Sequence, residues 1–148
     1  MARWHGWGAA PHVFDRPEWS DTRNELRELI GVDGLKAAAR TALNAHYTDP
    51  RIVGAMWASV EALGVTGGVV LEPGCGSGEV LAAAPDGFRG LGIELDPTTA
   101  AVAQARLGSD HTIVAGDFSK VKVANGAAAV VGNVPFGSFQ LYDPVHNP

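Results

Sequence analysis

The sequence holds a single cysteine, Cys75, in 148 residues. A disulfide framework is excluded, and one cysteine with five scattered histidines offers no metal-ligand spacing, so no metal is expected. No apolar run approaches the roughly 18 residues that a membrane-spanning helix needs. The opening Met1-Ala-Arg-Trp-His-Gly-Trp lacks the apolar core of a secretory leader. The expected compartment is the cytoplasm, with no membrane partner. Positive charge is also scarce. Against 16 Asp and Glu stand 11 Lys and Arg, a net charge of −5. Compact nucleic-acid binders neutralise phosphates with an excess of Lys and Arg. Autonomous nucleic-acid binding is therefore disfavoured, though a catalytic module whose grip lies elsewhere is not.

Glycine is plentiful at 19 residues, with 9 prolines, and the glycines cluster where strands should end. Residues 1–19 mix Trp4, Trp7 and Trp19 with glycines and prolines, and read as an irregular arm whose aromatics pack onto the domain. Ser20 to Ile30 reads as a helix capped by Ser20 or Asp21 and ended by Gly31. A second helix, Gly34 to His46, carries Leu35, Ala39, Ala42 and Leu43 at helical spacing. A third begins with Asp49 as cap and Pro50 in its first turn. Its apolar stripe is Ile52, Val53, Met56, Trp57, Val60 and Leu63, and Gly64 closes it.

After Gly67-Gly68 the period changes. Val69–Leu71 is a wholly apolar run of the kind buried in parallel sheets. A short helix at 79–84, strands at 90–93 and 111–115, a helix from Pro97 to Leu107 and a strand at 127–132 follow. Short alternating strands and helices imply parallel crossovers and an open α/β sheet. Such sheets bind ligands beyond the C-terminal ends of their strands.

The residues at those ends are chemically distinctive. Glu72-Pro-Gly74-Cys-Gly76-Ser-Gly78 follows the first strand. A dinucleotide fingerprint would place glycine where Glu79 stands, and no Gly-Lys-Ser/Thr phosphate loop is present. The ligand is thus expected to carry no phosphate. Glu94 ends the second strand about 20 residues later, the spacing at which an acid meets a ribose. One carboxylate accepts from two ribose hydroxyls. Asp96, before Pro97, reads as a helix cap. Gly116-Asp117-Phe118 follows the third strand, and Gly132-Asn133-Val134-Pro135-Phe136-Gly137 the fourth.

Val69 to Gly78 resembles the first motif of S-adenosylmethionine-dependent methyltransferases. The resemblance implies a Rossmann-like class I methyltransferase sheet, here ending after its fourth strand, with an N-terminal helical extension. It puts Glu72 near the methionine part of S-adenosylmethionine, with Gly74 and Gly76 making room for it. Cys75 is a small filler. Asp117 would accept from the adenine amine of the cofactor, and Phe118 would pack on its ring. Asn133 to Phe136 resembles the Asn-Pro-Pro-Tyr/Phe motif of amino-methyltransferases. There the Asn133 oxygen and a backbone carbonyl at Val134 or Pro135 accept both hydrogens of a target amine, raising the nucleophilicity of its nitrogen. Pro135 fixes the backbone, and Phe136 offers a face to an unstacked base.

Tyr47-Thr48-Asp49-Pro50 is similar to the segment of gamma-type DNA adenine methyltransferases whose Thr closes over the cofactor carboxylate. The Trp- and Gly-rich start further resembles the N-terminal part of phage and mobile-element methylase–helicase proteins. Together these resemblances imply DNA N6-adenine methylation. They divide the chain into residues 1–64, an arm and helices with the cofactor-closing segment, and residues 65–148, the first half of the α/β domain. Only four of about seven strands are counted, and no target-recognition region follows. The chain is therefore expected to be the N-terminal part of a longer protein, inactive alone, that meets DNA through regions largely outside it, with a fused or associated helicase as a partner. A cytosine C5 enzyme is excluded, because no Cys lies beside Pro135. An rRNA adenine methyltransferase, a protein glutamine methyltransferase and a non-catalytic cofactor-binding module remain open. So does a cytosine amine as target.

Overall fold

The computed structural model describes residues 6–42, 48–123 and 126–133. Among the described residues five α-helices run in chain order: α1 (His12–Asp15), α2 (Ser20–Ala42), α3 (Pro50–Ala62), α4 (Glu79–Ala82) and α5 (Pro97–Leu107). Four strands, β1 (Gly68–Pro73), β2 (Phe88–Glu94), β3 (Thr112–Ala115) and β4 (Ala129–Val130), form one sheet in the order β3-β2-β1-β4. Every pairing is parallel. The expected open α/β sheet is therefore present, and its order reverses between β1 and β4. Among the described residues, no helix is long and apolar enough to cross a membrane.

Local chemistry explains most element boundaries. Asp49 caps α3, its carboxylate accepting from Arg51 N, and Pro50 occupies the first turn. Asp96 caps α5 in the same way, accepting from Thr99 N. Gly31 takes φ 73°, ψ 173°, a conformation that breaks α2 into two helices where the sequence expects one to end. The second of these is described as far as Ala42. Its buried positions are Ala38 and Ala42, whereas Ala39, counted in the expected stripe, is exposed. With alanine throughout its interior, this helix carries little hydrophobic contrast, so packing rather than pattern selects its inner face.

Helix α4 stops at Ala82 rather than 84. Pro85 disfavours helical backbone just before it, and Ala83 and Ala84 close with tighter turns onto Val80 O and Leu81 O. Strand β4 is shorter than expected because only Ala129 and Val130 pair in register with β1. Its hydrogen bonding reaches further, from Ala128 N to Val69 O and from Val131 N to Leu71 O.

The core joins α3 to the sheet. Val53, Trp57 and Val60 pack with Val70, Val80, Phe88 and Val131. Ile52 and Leu63, at the ends of the expected stripe, are exposed instead. The Trp57 ring lies 5.1 Å from that of Phe88, and its Nε1 donates to Val80 O at 2.9 Å. That bond crosses the buried junction of α3 and α4. Trp57→Phe keeps an aromatic ring in the core but removes the indole donor, leaving the Val80 carbonyl only the longer bond from Ala83 N at 3.2 Å. Urea unfolding should show a loss of about 1 kcal/mol. An unchanged midpoint would mean that the Ala83 N–H satisfies the Val80 carbonyl by itself.

Candidate cofactor and amine site

Parallel register brings four loops to one edge of the sheet: residues 73–78 after β1, 95–96 after β2, 116–118 after β3 and 131–133 after β4. Backbone hydrogen bonds lock them side by side. Cys75 N donates to Ile93 O at 3.0 Å, Gly116 N to Glu94 O at 2.8 Å and Val131 N to Leu71 O at 2.9 Å.

Gly74 and Gly76 adopt φ of 68° and 54°, a region that L side chains rarely enter. A Cβ on either would point into open space. Backbone conformation demands these glycines, and the space beside them is free. Gly78 differs, since a Cβ there would lie 2.7 Å from Leu107 Cδ1. It lets α4 pack against α5. Cys75 is buried, and burial beside Glu72 and Glu94 pushes its thiol well above the usual range. It is an inert filler between β1 and β2, in line with its small size.

Two acids face this loop. Glu94 is buried at the end of β2; Gly76 N donates to its Oε2 at 2.9 Å and Asp96 N to its Oε1 at 2.8 Å. Burial raises its pKa, and backbone hydrogen bonds from Asp96, Gly76 and Leu95 oppose the rise. A carboxylate offers about four acceptor directions, so room for a further donor remains. Glu72, at the end of β1, is 3% exposed, and its Oε2 has no hydrogen-bond partner. Burial pushes it up to about 8, against an opposing hydrogen bond from the Leu81 backbone. Gly132 lies against it, the Glu72 Cγ being 3.7 Å from where a Cβ of Gly132 would stand.

Asp117 and Phe118 follow β3 at the same edge, both exposed or half-exposed. The Asp117 Oδ1 accepts from Ser119 N at 3.0 Å and from Ser119 Oγ at 2.7 Å, and these bonds hold its carboxyl below the usual range. Phe118 is 45% exposed. Asn133 follows β4, and its Nδ2 donates to Thr48 Oγ1 across a long 3.4 Å bond. Residues 85 apart in sequence thus meet, the N-terminal flank of α3 touching the loop after β4. The donor end of the Asn133 amide is directed to Thr48, which leaves Oδ1 as its open atom. Tyr47, Val134, Pro135 and Phe136 lie outside the described residues.

Thr48 also lines a small cleft of about 160 Å³ with Pro50, Val53 and Ala82, rimmed by Glu79 and Arg106, which pair with each other. That cleft contains neither Glu72 nor Glu94 and is distinct from the glycine-loop cradle. Among the described residues, no group of three or more His, Cys, Asp or Glu is arranged to hold a metal ion. Two features escape sequence reasoning. The indole of Trp7 donates to Asp96 Oδ2 at 2.9 Å, across 89 residues with no periodicity to announce it. The burial of Asp96 beneath the arm is equally silent.

Near the glycine loop stand two buried carboxyls, Glu72 with one unpartnered oxygen and Glu94 bonded to Gly76 N, and a Cβ on Gly74 or Gly76 would meet nothing within 4 Å.

No family model and no curated protein matches the chain. Solved structures do. A candidate RNA methyltransferase from Pyrococcus horikoshii superposes with a TM-score of 0.54 at 24% identity, covering 65% of this chain and 51% of that one. Magnesium protoporphyrin IX methyltransferase from Synechocystis PCC 6803, with bound S-adenosylhomocysteine, gives 0.47 at 17% identity, covering 74% of this chain and 57% of that one. The chain thus spans about half the length of the first of these. The four-stranded parallel sheet with its flanking and N-terminal helices has the Rossmann-like fold of class I methyltransferases.

Proposed function

We propose that the chain binds S-adenosylmethionine at the C-terminal strand ends and serves methyl transfer to the exocyclic amine of adenine in DNA. One observation carries this reading. Thr48 and Asn133, from segments similar respectively to a cofactor-closing segment and an amine-methylating motif, touch each other across 85 residues. The Glu72 and Glu94 carboxyls and the open space over Gly74 and Gly76 support the cofactor's place.

When bound, the cofactor supplies a methyl group activated on a sulfonium. The chain's own residues do the rest. Glu94 accepts from the ribose hydroxyls through its open lone pairs. Glu72 offers a negative partner to the cofactor's ammonium once ionised. Phe118 covers the adenine ring and Asp117 accepts from its amine. Asn133 accepts a hydrogen of the target amine through Oδ1, with a backbone carbonyl at Val134 or Pro135 accepting the other. Both acceptors would stabilise the positive charge that a target nitrogen gains on methylation, and the proton it gives up would pass to solvent. Tyr47 belongs to the closing segment, Pro135 fixes the carbonyl's direction and Phe136 stacks on the target base. DNA and a fused or associated helicase are the partners of this reading, and the net charge of −5 is compatible with a DNA grip on other surfaces.

Calorimetry with S-adenosylmethionine tests the first half. Glu94→Ala should weaken binding by about 1.5–3 kcal/mol, roughly 10- to 150-fold. Unchanged affinity would remove Glu94 from the site. Mass spectrometry of digested DNA, after reaction with the full-length protein, tests the second half. N6-methyladenine is the expected product. N4-methylcytosine overturns the target base, and DNA left unmethylated while rRNA or protein offered in parallel takes up labelled methyl overturns the substrate class.

A further inference from the structure

We propose that Trp7, in the N-terminal arm, is a positioning residue of the cofactor site, acting through Asp96 on the Glu94 carboxylate. The inference deepens the S-adenosylmethionine reading and rests on it.

A continuous run of hydrogen bonds leads from the arm to the glycine loop. Trp7 Nε1 donates to Asp96 Oδ2 at 2.9 Å. The backbone N–H of the same aspartate donates to Glu94 Oε1 at 2.8 Å, and Gly76 N donates to Glu94 Oε2 at 2.9 Å. The Glu94 carboxylate is therefore held at both oxygens, one by the loop that would face the ligand and one by the residue the arm grips.

Helix capping alone does not explain this arrangement. Asp49 caps α3 with its side chain 40% exposed, steadied by the neighbouring Arg51. Asp96 makes the equivalent bond to Thr99 N at 2.8 Å, yet it is fully buried, and its Oδ2 takes two further donors, Thr99 Oγ1 at 2.6 Å and the Trp7 indole. Its Oδ1 has no partner. Burying a carboxylate with an oxygen unsatisfied is costly. A helix start does not require that cost, whereas fixing a residue beside a binding carboxylate does.

The arm is also a built element. The Trp7 ring meets Phe14 of α1 edge to face at 5.8 Å, and Arg23 Nη1 of α2 donates to Val13 O at 2.7 Å and to Arg16 O at 3.2 Å. Preorganising a binding group lowers the ordering cost of a ligand, so the arm's grip should appear in cofactor affinity.

Trp7→Phe keeps an aromatic ring against Phe14 and removes the indole N–H. With S-adenosylhomocysteine as the probe, calorimetry on the full chain should show about 5- to 10-fold weaker binding. Glu94→Gln alone should weaken it more, and Trp7→Phe in that background should add almost nothing, because both act through one carboxylate. A purely structural role for Trp7 would lower the melting temperature and multiply the two effects, and that outcome overturns the proposal. A measurement on the unsubstituted chain decides the matter even if Trp7→Phe does not fold. By reciprocity, saturating S-adenosylhomocysteine should slow solvent exchange of the Trp7 indole N–H about 5-fold by NMR. Unchanged exchange overturns the proposal. Failure of the unsubstituted chain to bind the probe overturns the cofactor reading itself, and this inference with it. Binding with independent effects of the two substitutions overturns this inference alone.

Discussion

Asn133→Ala should cut methyl transfer by the full-length protein roughly 10²–10³-fold while leaving S-adenosylmethionine affinity within about twofold, by analogy with the loss of one preorganised transition-state hydrogen bond. The separation of the two effects follows from position. Asn133 stands beyond β4, on the far side of Glu72 and Gly132 from β2, whereas Glu94 and the glycine loop belong to the β1–β2 half of the edge. Its Nδ2 is directed to Thr48 Oγ1 at 3.4 Å, which leaves its oxygen to accept from another group. An adenine amine is a poor nucleophile because its lone pair is delocalised into the ring. An acceptor placed where the nitrogen becomes tetrahedral acts on the transition state and barely on the ground state, so it moves kcat rather than cofactor binding. Single-turnover rates and calorimetry on the same preparation read both quantities. A variant that loses cofactor affinity and rate together would make Asn133 part of the cofactor cradle instead.

What could be read in the sequence, and what could not, divides along physical lines. Asp49-Pro50 and Asp96-Pro97 announce helix starts because a cap and a first-turn proline are local chemistry, and both helices begin where that chemistry puts them. Val69–Leu71 announces a parallel strand by apolar run alone, and the strand extends one residue before and two after it, with Val70 and Leu71 buried but Val69 exposed. The alternation of glycines at 74, 76 and 78 announces positive φ, found at all three. It does not reveal that two of them face open space and the third a leucine of α5, since that depends on helix packing. The inner face of the second half of α2 was illegible for the same reason. Long-range contacts stand at the far end of this scale. Nothing in residues 1–19 says that Trp7 will reach Asp96, and nothing in Glu72 says that its carboxyl will be shut away from water, because burial is a property of the assembled sheet.

That burial has a measurable consequence, for Glu72→Gln should make the chain more stable at pH 8 and at the same time weaken its hold on S-adenosylmethionine. The carboxyl is 3% exposed with one oxygen unpartnered, and burial pushes it up to about 8 from an ordinary value of 4.5. Below pH 4.5 the group is protonated in the folded and unfolded chain alike and contributes no difference. Between 4.5 and about 8 the unfolded chain releases the proton while the folded chain retains it, so folding stability falls as pH rises. One pK unit corresponds to 1.36 kcal/mol; allowing for relaxation, the glutamine variant should gain about 2–4 kcal/mol over the parent at pH 8 and nothing at pH 4. Urea unfolding from pH 4 to 8 reads this directly, and parallel curves for the two proteins would mean that water reaches Glu72. Binding should move the other way. An ammonium brought beside Glu72 favours its ionised form, so the parent should release a proton on binding at pH 7 and bind more tightly as pH rises from 6 to 8. Calorimetry in two buffers of different ionisation enthalpy detects that proton. The glutamine variant should release none and bind about 10-fold more weakly, having lost a charged partner. Equal proton release by both proteins would assign the ammonium to another acid and leave Glu72 a buried carboxyl with no part in the site.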